Sequence, residues 1–228
     1  MKVSGILIAL LALILFGSLS AAAQSPNKDK PEIKFRWAFG AIRGTAAPAK
    51  VVPVSANTIL SSGDKLKFMV ELKKKCFVYL VHSNSQGEVT MLFPYAVKQF
   101  EADYQTARKY FVPKGDAWFQ LDGKTGRETF NLIASDQRLL DIEYTYEKYV
   151  SAEPGKKREL SEQMLAEING IREQYLASSE KGEILAGNDV VHRGFERATG
   201  SDPTDISTLA KEVAYNNIYS ETFVVEHR

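Results

Sequence analysis

Cys76 and His82 are the first pair to weigh, because a thiol beside an imidazole is how a cysteine nucleophile meets its base. The residues between them, Phe77-Val78-Tyr79-Leu80-Val81, are all apolar and predict a strand. At about 3.3 Å per residue, the two side chains would then sit roughly 20 Å apart, too far for a proton to pass between them. Only the fold could bring His192 or His227 up to Cys76. Cys76 is the only cysteine, so no internal disulfide forms. Three roles remain for it: a small buried hydrophobe, a nucleophile, or a cross-link to another chain. Its apolar neighbours favour burial. Glu128 and Asp136 flank a predicted strand and are conceivable as a glycosidase pair. The chain has 28 acidic residues, however, and nothing in the sequence singles these two out. There is no HExxH, GxSxG, Walker loop or GxGxxG in a strand–helix setting. No His, Cys and carboxylate spacing supports a metal site, and Asn188-Asp189 reads as a turn, not as calcium chemistry. No catalytic residue, metal or cofactor is therefore assigned.

Aromatic residues are the other candidates. Most of them, including Trp37, Phe39, Tyr79, Phe93, Phe111 and Trp118, suit core packing. Tyr95, Phe100 and Tyr104 differ, because they lie in a polar stretch with Lys98, Glu101 and Asp103. An aromatic loop at the end of a sandwich can form a binding rim or simply cover the sheet end. These three are the candidate binding residues.

Charge narrows the partners. Lys2 is the one charged residue among the first 23, so the remainder carries 28 residues of each sign. That balance argues against a general electrostatic grip on nucleic acid or anionic lipid. Lys73-Lys74-Lys75 is the densest basic run, and its place between two strand-like runs reads as a solvated turn.

The elements that must position these residues are mostly short strands. Ile33, Phe35, Trp37 and Phe39 alternate with Lys34, Arg36 and Ala38, a period-two strand with one aromatic face. Residues 44–53 read as a loop, and residues 54–59 as a short edge segment limited by Pro53. Ser61-Ser62-Gly63-Asp64 is turn chemistry leading into a strand carrying Leu66, Phe68 and Val70. Residues 76–82 form a strand buried on both faces, and residues 83–87 a hairpin loop. Residues 89–93 return and end at Pro94. Further strands carry Tyr110 to Val112, Trp118 to Leu121 and Phe130 to Ala134.

The periodicity then changes. Ser135 is read as the cap of a helix with Leu139, Ile142, Tyr146 and Tyr149 on one face. Pro154-Gly155 breaks the chain, and a second helix carries Leu160, Met164, Ile168, Ile171 and Tyr175. Asp202-Pro203 suggests a third helix that buries Ile206, Leu209, Ala210 and Val213. Tyr219, Glu221, Phe223 and Val225 alternate as a closing strand. The fold class is mainly β, of α+β type. It comprises a β-sandwich-like antiparallel core with an inserted helical segment, about residues 136–217, before a closing C-terminal strand.

The N-terminus carries an address. Lys2 supplies a basic start, residues 5–16 are almost wholly apolar, and Ala21-Ala22-Ala23 fits a signal-peptidase site. The apolar run is too short for a comfortable bilayer span, and no second long one follows. Residues 1–23 thus read as a cleaved signal peptide, 24–31 as a flexible tail and 32–228 as one domain. The mature chain is expected to be exported, periplasmic or extracellular, with no membrane span.

The order of three motifs resembles the domain of unknown function 4384 family. They are Leu60-Ser61-Ser62-Gly63-Asp64, Cys76-Phe77-Val78-Tyr79-Leu80, and Gly87-Glu88-Val89 with Leu92-Phe93-Pro94. Tyr110-Phe111-Val112-Pro113, Gly126-Arg127-Glu128 and Ile133-Ala134-Ser135 continue the resemblance, which spans about residues 37–140. It implies a secreted or envelope-associated bacterial β-rich module and brings no catalytic residues with it. The sequence therefore favours a non-enzymatic binding module of the bacterial envelope, with an envelope protein as partner. An envelope hydrolase acting on wall or polysaccharide material is the alternative. A structural subunit cross-linked through Cys76 is a third possibility. Export with cleavage after Ala23 makes Gln24 the first residue of the mature protein, and N-terminal sequencing of exported material reads this directly.

Overall fold

The computed structural model describes residues 32–44, 49–178, 183–186 (backbone only) and 204–228. The predicted signal peptide and tail lie outside the described residues, as do Asn188-Asp189, His192 and the Asp202-Pro203 cap.

Two sheets face each other. The first is built on β1 (Ile33–Ile42) and β4 (Lys65–Leu72), paired antiparallel from Phe35↔Leu72 to Ile42↔Lys65. Its order is β10 (Glu183–Ala186), β11 (Lys211–Tyr215), β1, β4, β7 (Lys109–Val112). β2 (Val51–Pro53) pairs with β1, and β8 (Phe119–Gln120) with β4. The second sheet runs β3 (Thr58–Leu60), β12 (Ile218–His227), β9 (Gly126–Ser135), β5 (Phe77–Ser83), β6 (Val89–Phe93). The expected closing strand is β12, in antiparallel register with β9 along its whole length. The expected edge segment is β3, which pairs with β12 in parallel.

Period-two alternation puts one face of each strand into the space between the sheets. Phe35, Trp37 and Phe39 of β1 and Leu66, Phe68 and Val70 of β4 meet Val78 and Leu80 of β5, Phe130 and Leu132 of β9, and Phe223 and Val225 of β12. Phe39 stacks on Phe68 with ring centroids 3.5 Å apart and meets Phe130 and Phe223 edge-on.

β5 is apolar on both faces because its outer face is also covered. α2 (Leu140–Ser151) and α3 (Pro154–Ala177) form a third layer. Ile142, Tyr149, Met164 and Ile168 pack there on Tyr79, Val81, Met91 and Ile133. A buried polar group anchors the layer. Tyr79 donates from its hydroxyl to Glu143 Oε1 at 2.6 Å and accepts from the Leu139 N–H at 3.0 Å. Arg138 grips both Glu143 oxygens from Nε at 3.1 Å. A short helix, α1 (Gln99–Ala102), lies after β6.

Three local expectations are corrected. Ser135 does not cap a helix: it ends β9, and its hydroxyl accepts from Gln137 N while α2 begins at Leu140. The third helix is only a 3₁₀ turn at Ile206–Leu209, followed by β11. Ile206, Leu209, Ala210 and Val213 have helical spacing, yet Val213 and Tyr215 also alternate, and β1 needed a partner along Ile33↔Tyr215. Pairing with that edge outweighed local periodicity. Among the described residues, the segment expected as a helical insertion over residues 136–217 is α-helical only in α2 and α3. It then contributes β10 and β11 to the first sheet.

Removing the central ring in Phe39→Ala is expected to cost about 3–5 kcal/mol. Removing only the hydroxyl in Tyr79→Phe leaves the Leu139 N–H without its acceptor, while Arg138 still holds Glu143, at about 1–3 kcal/mol. Urea titrations of the two variants measure both losses.

Candidate functional site

On three adjacent strands of the second sheet, the inward-facing positions change from apolar to polar at the same end. β5 reads Val78, Leu80, His82; β9 reads Leu132, Phe130, Glu128; β12 reads Phe223, Val225, His227. Register aligns them: His82 lies opposite Phe130, Val225 opposite Glu128 and His227 opposite Gly126. Glu128 is thus the diagonal neighbour of His82, within reach of a long side chain. His82 Nε2 and Glu128 Oε2 are 2.6 Å apart. On β6, Thr90 stands opposite His82.

The sheets part here and leave an open cleft of about 410 Å³, the mouth of the sandwich. Leu66, Leu92, Phe119, Leu121 and Phe130 supply its apolar surface. Asn84, Gln86, Glu88, Gln120, Asp122 and Lys124 supply a polar rim. The turn after β5 is held by its own side chain: Asn84 Oδ1 accepts from Gln86 N and Glu88 N. Gly126, at φ +150°, sits where a Cβ would strike the Ser85 side chain, so only glycine lets that turn close onto β9.

His227 joins the mouth to the Ser61–Asp64 turn. Its Nε2 shares a 3.0 Å hydrogen bond with the Ser62 hydroxyl. A serine and histidine at this distance are the first two parts of a hydrolytic site, which also needs donors for an oxyanion. The turn spends its N–H groups elsewhere. Ser61 N donates to Asp64 Oδ2, Ser62 N to Arg228 O, Gly63 N to Leu121 O and Asp64 N to Ser61 O. Among the described residues, no group of three His, Cys, Asp or Glu side chains is arranged to hold a metal ion.

The residues picked out by sequence lie at the other end of β5. Tyr104 accepts from Val78 N at 2.9 Å, and its ring stacks on Tyr110 and meets Phe100 edge-on. Phe100 packs edge-on against Tyr79 and Phe77. The Tyr95 hydroxyl donates to Phe111 O at 2.5 Å, and its ring lies against Phe93. Tyr95, Phe100 and Tyr104 are half-buried and serve as cover for the sheet end, with their rings committed inward. Cys76 is wholly buried below them, which removes both the nucleophile and the cross-link readings. The structure sets it apart from His82, as expected. Desolvation pushes its thiol up to about 12 and the Tyr95 phenol also to about 12, and burial raises Tyr104 as well.

Sequence reasoning passed over His82–Glu128 and Ser62–His227. Period-two alternation marks His82, Glu128 and His227 as inward-facing, but only strand register shows that the three lie at one end, and Ser62 sits in a turn that alternation does not reach.

The fold and its polar mouth define a helix-backed β-sandwich with a preformed cleft. The family read from the motifs is the one whose model matches: residues 59–138 are similar to the Domain of unknown function (DUF4384). The matched residues include Ser62, His82, Glu128 and the aromatic cover. β1, α2, α3 and β12 with His227 fall outside them. No curated protein and no solved structure matches the chain.

Both Cys76 and Tyr95 hold their proton more tightly in the folded chain than at their ordinary values of 9.0 and 10.0. Their contribution to stability is complete below those values and is lost as pH rises through about 12. The melting temperature should therefore fall progressively above pH 9. In the same range, iodoacetamide should leave native Cys76 unmodified and label it only on unfolding, as read by mass spectrometry.

Proposed function

We propose that this chain is an exported, non-enzymatic binding module of the bacterial envelope and that the sandwich mouth is its contact site. The observation carrying this reading is the convergence of His82, Thr90, Glu128 and His227 on one open cleft with an apolar surface and an amide-rich rim. Small-molecule and peptide sites combine these features: apolar surface for contact area, and a few fixed polar groups for orientation. Polar residues on inward sheet positions weaken a core unless they are paired, so a cluster of them suits recognition better than stability. Export rests on the N-terminal signal. Among the described residues, no helix is long and apolar enough to cross a membrane.

The Ser62–His227 contact favours the second reading, an envelope hydrolase. The committed N–H groups of the turn weigh against it, because a tetrahedral oxyanion at Ser62 would find no backbone donor there.

Crosslinking tagged protein in its native envelope should capture a reproducible partner. Lys124→Glu at the rim should abolish that capture with little change in the thermal melt, and His82→Ala inside the mouth should abolish it with a lowered melt, because Glu128 loses its partner. Undiminished capture by both would remove the mouth from the interface. Stoichiometric labelling of Ser62 by a fluorophosphonate would instead establish the hydrolase.

A further inference from the structure

The lining of the mouth limits what it can hold. Glu128, Glu88 and Asp122 face Lys124, the only lysine or arginine of the cleft among the described residues, so a polyanion meets net repulsion. Each carboxylate already accepts from a protein donor. Glu128 Oε2 pairs with His82 Nε2 at 2.6 Å, Glu88 Oε2 accepts from Asn84 Nδ2 at 2.7 Å, and Asp122 Oδ1 accepts from Lys124 N at 2.7 Å. These contacts blunt the attraction for a free cation while leaving the second oxygen of each group able to accept. Among the described residues, Glu128 Oε1 and His82 Nδ1 take part in no hydrogen bond, although Glu128 is mostly buried. The Gln86 and Gln120 side chains add donors and acceptors in equal measure, and Asn84, whose Oδ1 already accepts twice, keeps one Nδ2 hydrogen to donate.

Apolar surface is available beside these groups. The Phe130 ring is taken by the His82 imidazole at 4.8 Å. Phe119 is half-exposed in the lining and meets no other ring among the described residues. A ring face next to carboxylate and amide groups suits a molecule with one C–H face and a circumference of hydroxyls. The cleft volume of about 410 Å³ falls in the range of about 300–1,000 Å³ usual for small-molecule sites.

We infer that the mouth binds a short neutral saccharide, stacked on Phe119 and hydrogen-bonded to Glu128, His82 and the rim amides. This rests on the reading of the mouth as a binding cleft and names its ligand class. Sugar hydroxyls donate to the free carboxylate oxygens and accept from the amides and Lys124, so no charge is buried unpaired.

The test is a two-dimensional ¹H–¹⁵N titration of the mature protein with cellobiose, maltose and N,N′-diacetylchitobiose. Spermidine serves as a cationic probe and polyphosphate as an anionic one. At least one disaccharide should move the backbone and side-chain amides of Asn84, Gln86 and Gln120 together with the Phe119 amide. Phe119→Leu keeps the apolar volume and removes the ring face, and it should weaken that disaccharide at least tenfold with an unchanged melt. Glu128→Gln should weaken it as well. Shifts produced by spermidine or polyphosphate alone would overturn the saccharide class, as would tenfold-tight binding that survives Phe119→Leu. If the sugars are inert but rim variants still lose an envelope partner, the binding-module reading stands and the saccharide falls. Sugar shifts confined to surfaces away from the mouth overturn both.

Discussion

The stack of Phe39 on Phe68 between the sheets is the contact on which the rest of the structure depends. One ring comes from β1 and the other from β4, and both reach across to Phe130 on β9 and Phe223 on β12. With no disulfide among its described residues, the sandwich is held by apolar burial, and this cluster is where four strands share it. The same cluster sets the depth of the mouth. Phe130 belongs to the core on one side and lines the cleft on the other, so polar chemistry begins one strand pair beyond the last packed ring.

The two ends of the sandwich are finished differently. At one end Tyr95, Phe100, Tyr104 and Tyr110 close over Cys76 and Phe93, and the chain spends its hydroxyls on backbone groups. Tyr104 accepts from Val78 N, and Tyr110 accepts from Gln105 N. At the other end the core gives way to His82, Glu128 and His227 and stays open. A closed aromatic end and an open polar end put a preformed cleft of mixed chemistry at the mouth, and the functional reading rests there.

The helical layer explains why β5 tolerates apolar residues on both faces. Tyr79 and Val81 would otherwise expose a hydrophobic patch. Instead they lie under α2 and α3, with Tyr79, Glu143 and Arg138 forming a satisfied polar anchor in a largely apolar contact. The anchor fixes the second sheet from behind, which in turn steadies the inner faces of β5 and β9, where His82 and Glu128 sit.

Much of the fold was legible in the sequence because strands and helices advertise themselves locally. Alternation from Ile33 to Phe39 and from Tyr219 to Val225 identified β1 and β12. The stripe from Leu160 to Tyr175 identified α3, and the motif order from Leu60 to Ser135 identified the family. Local pattern misled at Ile206–Val213, where helical and strand spacings coincide and the free edge of β1 decided the outcome. Sequence placed the candidate site in the Tyr95, Phe100 and Tyr104 loop, whose half-buried rings pack on the sheet end. By itself the sequence determined which residues of each strand face the core, since side-chain direction in a strand alternates with every residue. Only the tertiary structure decided that His82, Glu128 and His227 share one mouth. Their meeting depends on the register between strands distant in the chain, and register is set by how the two sheets pack.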